Sequence, residues 1–426
     1  MKIILCKSHF DGPISGADET LVTYAAHLRK AGQSVSVLLM YLHAEEDQYY
    51  QRLLEADVPV SWIASNLTQN SFGAGRKLAT RMFYTFPASK SFVRRKTQPM
   101  LTAIAERYSG ACRRFFETQQ PDLVHVMTPN AGAAVMIRAA HDAGVPVIYQ
   151  ELGIPFNPPG FDYYHQFASV LPLCSEIAAL SPLLMNHCRE ELPPQKGLSV
   201  LPIMSQELAN GHNPEHHRDE KITFGFAARM EELKGPMVLM DALAIACRDN
   251  DHIYLNLAGD GSQRQKIAAR AKALNVAGRY RYHGVYTHPE ERRSFMERID
   301  AFVMPSFTEG TPNSIVEAMA HRKPIIASQV GGVPDMLGDE AGLLVPPGDA
   351  DALAEAMLRL AADSDLRHRL GRAAHERYQK FFSPSVVLPL LLHTYGRLSG
   401  NGHDGANSSG NGHVHPWALA EPQKVE

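Results

Sequence analysis

Residues 301–328 read AFVMPSFTEGTPNSIVEAMAHRKPIIAS. AFVMP is a short apolar run of the kind buried on both faces of a parallel sheet. A helical segment follows, and KPIIAS returns to strand, so the stretch reads as a strand-helix-strand crossover. Thr311 is placed to cap the helix and Pro312 suits its first position, where a missing N–H costs nothing. The N–H groups of Asn313, Ser314 and Ile315 then point out of the helix start with the positive end of its dipole behind them, an anion site. Glu309 lies just before the helix and Glu317 in its second turn. Either Glu309 merely complements the dipole and Glu317 is a solvated helix residue, at roughly a few tenths of a kcal/mol each, or Glu309 sits near whatever the amides hold.

The alternation extends both ways from this stretch. Upstream lie ITFGFAA, HIYLNLAG and YRYHGV, each followed by a helical pattern. Before residue 205 the same rhythm appears in KIILC, SVSVLLM, LVHVM at 123–127, VPVIYQ at 145–150 and IAAL at 177–180, with helical segments such as ADETLVTYAAHLRKAG between several of them. The chain is therefore expected to be α/β, with two doubly wound parallel-sheet domains: 1–204, a polar linker at 205–220, and 221–382. The segment FFSPSVVLPLLLHTYGRL is expected to return to the first domain as a helix at about 383–398. The Gly-, Asn- and Ser-rich tail 399–426 lacks apolar periodicity and is expected to be disordered.

Composition narrows the classes. The chain has 426 residues, a net charge of -3 and 45% hydrophobic residues, enough for two full cores and without the basic excess of a dedicated nucleic-acid binder. Cysteines 6, 112, 174, 188 and 247 are odd in number and show no CxxC spacing, which fits neither a disulfide framework nor a zinc ribbon and suggests a reducing, cytoplasmic setting. The opening apolar run is too short for a signal peptide. Histidines 403, 413 and 415 in the tail and 212, 216 and 217 in the linker have no fixed geometry for a metal.

In open α/β sheets ligands bind beyond the carboxyl ends of the strands. There the second half places AARMEELKG, with Arg229 and Lys234, then AGDGSQRQK, then the Glu309 stretch. Two cations and a helix start can stabilise negative charge on a ligand without a metal. The strings DAD at 349–351 and DSD at 363–365 precede helical runs and read as caps rather than metal ligands.

These motifs together resemble the family-4 retaining glycosyltransferases of the GT-B superfamily, glycosyl transferases group 1. EGTPNSIVEAMA is similar to their E-x7-E signature and AARMEELKG to their Arg and Lys pair; AGDGSQRQKIAARAKALNVAGRYRYHGV, SQVGGVPDML and GLLVPPGDADALAEAM follow in the family's order. The resemblance covers the chain to about residue 398. It implies two Rossmann-like domains facing across a cleft, and sugar transfer from a nucleotide-diphospho-sugar, commonly a UDP-sugar, to a hydroxyl of a glycan, glycolipid or small molecule, with retention and without cofactor or metal. By this resemblance Glu309, Arg229 and Lys234 are catalytic, with Glu309 on the sugar and the two cations on the diphosphate. Glu317 takes the ribose hydroxyls. Gly310, Thr311, Pro312, Asn313, Ser314, Ile315, Gly259 and Val285 line the donor site, and Gly16, in DGPISGAD, approaches the diphosphate from the first domain.

One departure stands out. The family often carries H-x-H on the acceptor-side strand, and here the pair is His125 and Met127. His125 reads either as a core histidine or as a substitute, and Glu151 after VPVIYQ as a replacement group or a solvent-facing loop carboxylate. A non-catalytic nucleotide-sugar-binding scaffold is the alternative this substitution favours, and an epimerase of the same architecture is a third. Residues 76–114, which begin with Arg76 and end with Arg114, hold ten Lys or Arg against Glu106 alone, with interleaved aromatics. They form a candidate contact for an anionic membrane surface or acidic acceptor, which would place the protein peripherally at the inner face of the membrane.

Overall fold

The computed structural model describes residues 1–12, 14–42, 47–64, 99–100, 102–153, 167–192, 197–205, 221–286, 288–400 and 417. The chain divides into two compact units, one of Met1–Met204 with Val387–Glu426, the other of Ser205–Val386.

In the first unit, β1 (Lys2–Lys7), β2 (Ser34–Leu39), β3 (Val60–Trp62), β4 (Leu123–Met127), β5 (Val147–Gln150), β6 (Glu176–Ala179) and β7 (Leu198–Val200) form one parallel sheet in the order 3-2-1-4-5-6-7. Every residue of β4, β5 and β6 is buried. This is why LVHVM reads as a run and not as an alternation: helices cover both faces. Side-chain caps start the helices between strands. Ser15 accepts from the Asp18 N–H, Asn130 from Ala133 and Ser181 from Leu184.

The Pro384–Leu398 helix supplies part of this unit's core. Val387, Leu391 and Tyr395, four apart and so on one helix face, are fully buried with Leu5, Tyr24 and Leu123. The Tyr395 hydroxyl lies 2.5 Å from His125 Nδ1, and Arg397 pairs with the buried Glu176.

In the second unit, β8 (Ile222–Ala227), β9 (Ile253–Ala258), β10 (Tyr280–Tyr282), β11 (Ala301–Met304), β12 (Ile325–Ser328) and β13 (Leu343–Val345) form a parallel sheet in the order 10-9-8-11-12-13. The Asn313–Ala320 helix joins β11 to β12, the crossover read from residues 301–328. Asp349 and Asp363 cap the helices that follow, accepting from Ala352 N (2.9 Å) and Leu366 N (2.8 Å). Winding reverses between β1 and β4 in one sheet and between β8 and β11 in the other, and at such switch points the strand ends leave a crevice for ligand.

β3, β7 and β13, three residues each, are not selected by the sequence reading; β10 is as short and is read only within the longer run YRYHGV. Most of the basic segment, the linker from 206 to 220 and the tail beyond Gly400 lie outside the described residues, apart from Trp417, which is buried. Of the segment's described arginines, Arg113 pairs with Glu117 at 2.8 Å, and Glu106 pairs with Arg138 at 2.8 Å. Among the described residues no helix is long and apolar enough to cross a membrane.

Tyr395→Phe removes the hydroxyl that pairs with His125 Nδ1 while keeping the ring. It is expected to lower stability by about 1–3 kcal/mol, the cost of an unpaired buried polar group, which urea denaturation followed by a probe in the first unit will read.

Candidate functional site

Three loops leave the carboxyl ends of β8, β9 and β11 and are tied together by their backbones. Met230 N donates to Asp260 O at 2.9 Å, Gln263 N to Met230 O at 2.8 Å, and Phe307 N to Leu233 O at 2.9 Å. Two glycines make the approach possible. Gly259 has φ +122, and a Cβ there would lie 1.9 Å from Ala228 O; Gly235 has φ +67, and its Cβ would lie 1.9 Å from Pro305 O. No other residue fits either place without moving backbone.

This arrangement brings Lys234 to Glu309. Lys234 Nζ donates to Glu309 Oε1 at 2.6 Å, and Ser306 Oγ donates to the same oxygen at 2.7 Å. The Glu309 carboxylate is 6% exposed, so it is a held, desolvated group and not a surface complement to the helix dipole. Arg229, on the loop after β8, is exposed and forms no ion pair among the described residues. Val285 follows β10 and is half-buried, and the neighbouring Gly284 O accepts from Gly259 N at 2.8 Å.

Glu317 is also buried, and its partner is a residue that the sequence reading did not select. Arg292 Nη1 lies 2.8 Å from Glu317 Oε1, with the two side chains 16% and 7% exposed. Arg292 comes from the Pro289–Glu297 helix and sits over the Tyr286 ring at 5.7 Å. The solvent-facing reading of Glu317 is therefore overturned by burial and pairing. No local pattern flags Arg292, because its partner lies 25 positions away on another helix.

The helix start differs from expectation by one residue. Pro312, extended at φ -69 and ψ 125, is the N-cap, and Asn313 is the first helical residue. Thr311 does not cap: its hydroxyl is buried without a hydrogen-bond partner among the described residues. Proline fixes the φ that an N-cap also uses, so it displaces the cap from Thr311. The Ile315 N–H is used within the turn, donating to Pro312 O at 3.1 Å, so it does not project from the helix start as expected. Gly310 O accepts from Gly332 N at 2.9 Å, which fixes the loop ahead of it.

In the first unit the corresponding switch point carries Gly16 and the acceptor-side candidates. Gly16 is the first residue of the Gly16–Lys30 helix, and in its loop it is Gly12 that takes positive φ, +114. The loop is pinned by a buried charge: Lys7 Nζ donates to Asp11 Oδ2 at 2.6 Å and to Asp18 Oδ1, while Asp11 N donates to Asp18 Oδ2 at 2.7 Å. His125 and Met127 are both fully buried in β4. Burial, opposed in part by Gln150, pushes the His125 imidazole down to about 3, so it is neutral. Glu151 does not face water. It is 5% exposed and accepts from Tyr149 Oη at 2.7 Å and Gly153 N at 3.0 Å, and burial raises its pKa. Thr128, directly after Met127, holds φ +66, an outlier for a β-branched residue. Its hydroxyl is buried without a partner among the described residues.

Among the described residues no three His, Cys, Asp or Glu gather into a metal-binding group.

The two doubly wound parallel sheets form a GT-B fold, as the likeness to solved structures shows. The Anabaena protein Alr3699/HepE in complex with UDP and glucose superposes with TM-score 0.71 at 18% identity, over 93% of this chain and all of that one. The structure of TarM from S. aureus in complex with UDP, fondaparinux and α-GlcNAc-glycerol gives 0.70 at 12% identity, over 93% of this chain. Residues 210–377 match the family glycosyl transferases group 1, a span that includes the loops after β8, β9 and β11. The lipopolysaccharide core biosynthesis glycosyltransferase LpsE of Rhizobium meliloti (strain 1021) is 34% identical over 165 residues, 38% of this chain and 46% of that relative. A putative teichuronic acid biosynthesis glycosyltransferase, TuaC of Bacillus subtilis (strain 168), is 27% identical over 65% of this chain and 70% of its own length.

Arg292→Ala leaves a buried carboxylate without its cation and is expected to cost about 3–5 kcal/mol. Adding Glu317→Gln to that variant should recover most of the loss, and a double-mutant cycle by urea denaturation measures it. His125 gives a pH signature. Its folded value lies below the unfolded 6.5, so the unfolded chain binds the extra proton between about pH 6.5 and 3. Its contribution to stability is full above 6.5 and is lost as pH falls through that window. His125→Gln should flatten this part of the stability profile.

Proposed function

We propose that the chain is a retaining glycosyltransferase of family 4 that moves a sugar from a nucleotide-diphospho-sugar, a UDP-sugar by preference, to a hydroxyl of a glycan, glycolipid or small molecule. The observation that carries this reading is the Lys234–Glu309–Ser306 cluster at the β8/β11 switch point. A carboxylate held there by a cation can accept hydrogen bonds from sugar hydroxyls, while a second cation, Arg229, is left open for phosphate. UDP in the structures of like fold supports the base assignment.

In this reading Arg229 and Lys234 take the diphosphate with the N–H groups at the start of the Asn313–Ala320 helix. Glu317, held by Arg292, takes the ribose, and Gly259 and Val285 border the nucleotide. The bond between the anomeric carbon and the phosphate oxygen breaks with its electron pair going to the diphosphate. The acceptor oxygen bonds to the same face of that carbon, and its proton passes to the departing phosphate. The two cations stabilise the charge that develops, so no metal is called for. Retention by double displacement would need a carboxylate nucleophile at the anomeric carbon, and Glu309 is already tied to Lys234 and Ser306. The first unit, with the end of β4 and Glu151, takes the acceptor. Contact with an anionic membrane surface through residues 76–114, in the cytoplasm, belongs to the same proposal and rests on their charge.

A second reading, a nucleotide-sugar-binding scaffold, is favoured by one observation: β4 ends in a buried Met127, which can move no proton. Hydrolysis of UDP-sugar without acceptor separates the two. Wild type should release UDP, whereas Glu309→Ala should lower the rate at least about a hundredfold, the scale seen when one charge-stabilising group is removed, with UDP affinity retained. A wild type that binds UDP-sugar and never turns it over would establish the scaffold, and an inverted product anomer would exclude the retaining mechanism.

A further inference from the structure

The second unit carries a groove at the opposite end of its sheet. It opens over the first residues of β8 and β9 and along β10, has a volume of about 500 Å³, and includes Lys221, Tyr254, Arg279, Arg281, His283 and Arg298 in its lining. β8 is six residues long, so roughly 20 Å of strand separates Lys221 from the loop that holds Arg229.

Register explains why this surface is polar. Thr223 stands opposite Tyr254, Gly225 opposite Asn256, and Asn256 opposite Arg281. The alternate residues Phe224, Leu255 and Leu257 are buried. One face of these strands is thus core; on the other, Ile299 packs against Gly225, and the neighbouring positions Thr223, Tyr254, Asn256 and Arg281 are polar.

The groove's charge is one-sided. Its lining holds four Lys or Arg and no carboxylate, and none of the four forms an ion pair among the described residues. Lys221 and Arg279 both lie over the Tyr254 ring, at 5.6 and 5.3 Å. Arg279 also donates to Tyr254 Oη at 3.2 Å and to the Asp251 carbonyl. Two carboxylates lie beside the lining residues: Asp300 accepts from Thr223 N at 2.8 Å, and the exposed Asp251 lies 3.3 Å from His252. His283 has its Nε2 buried without a partner among the described residues. Burial first, then Arg281 and Arg298, push its pKa down, which places both guanidinium groups in its field.

Like charges gathered in a concavity repel one another, and a bound anion relieves that repulsion. The volume falls in the range of small-molecule sites, which favours a compact ligand. We propose that this groove binds a small polyanion, a ligand bearing two or more phosphate or carboxylate groups, at a site separate from the β8/β11 switch point.

Titration of the full chain with tripolyphosphate, followed by amide chemical shifts, tests it. Shifts are expected at Tyr254, Arg281 and His283, with affinity falling steeply as salt is raised. The double variant Arg281→Glu/Arg298→Glu changes only exposed side chains and should weaken binding at least about tenfold while leaving UDP affinity unchanged. A diuronate titrated in parallel separates carboxylate from phosphate recognition, and either ligand binding in the groove upholds the site. Absence of shifts there with both, or equal affinity in the double variant, overturns it. The UDP measurement is independent, so failure of the groove and failure of the glycosyltransferase reading are told apart.

Discussion

A carboxylate taken out of water must meet a cation, and Glu309 meets Lys234, 75 positions earlier in the chain. The loops after β8 and β11 have to touch for that pair to form. Their contact runs through Gly235, which ends the Glu232–Lys234 turn in the left-handed region with no room for a side chain. The loop after β9 is drawn in by the same means at Gly259. A single buried charge thus sets the identity of residues that never touch it. Replacing Lys234 would strand a carboxylate that Ser306 alone cannot neutralise.

The first unit also buries charge at the end of its sheet. There Lys7, at the end of β1, and Asp18 are buried together, and the half-exposed Asp11 closes over them. In each unit a charge at the carboxyl end of the sheet is neutralised from a neighbouring loop, which stiffens the crevice that the winding reversal opens. A crevice with fixed walls orients polar groups before any ligand arrives.

The sheet strands in the middle of each unit were legible because burial on both faces leaves an unbroken apolar run, as in LVHVM and AFVM. The Lys234 and Glu309 stretches were legible through turn chemistry and through family likeness. What sequence could not show was side-chain pairing at a distance. Arg292 looks like one more charged residue on a polar helix, and only the packed helices reveal that it faces Glu317. The position of the Asn313–Ala320 cap failed for a local reason: threonine and proline both suit a helix start, and proline's ring decided the outcome. His125 was left open between a core and a chemical role, since a histidine in a strand reads the same way until its neighbour from the far end of the chain, Tyr395, is in place.

That neighbour has a bearing on how the protein is made. Val387, Leu391 and Tyr395 belong to the core of Met1–Met204 but leave the ribosome only after the whole second unit. At about 5–20 residues per second, the first unit waits roughly 10–40 s with a face of its core uncovered, long enough for a chaperone to bind. The residues of the second unit all precede Val387, so its chain is complete before the segment that closes the first unit's core has emerged.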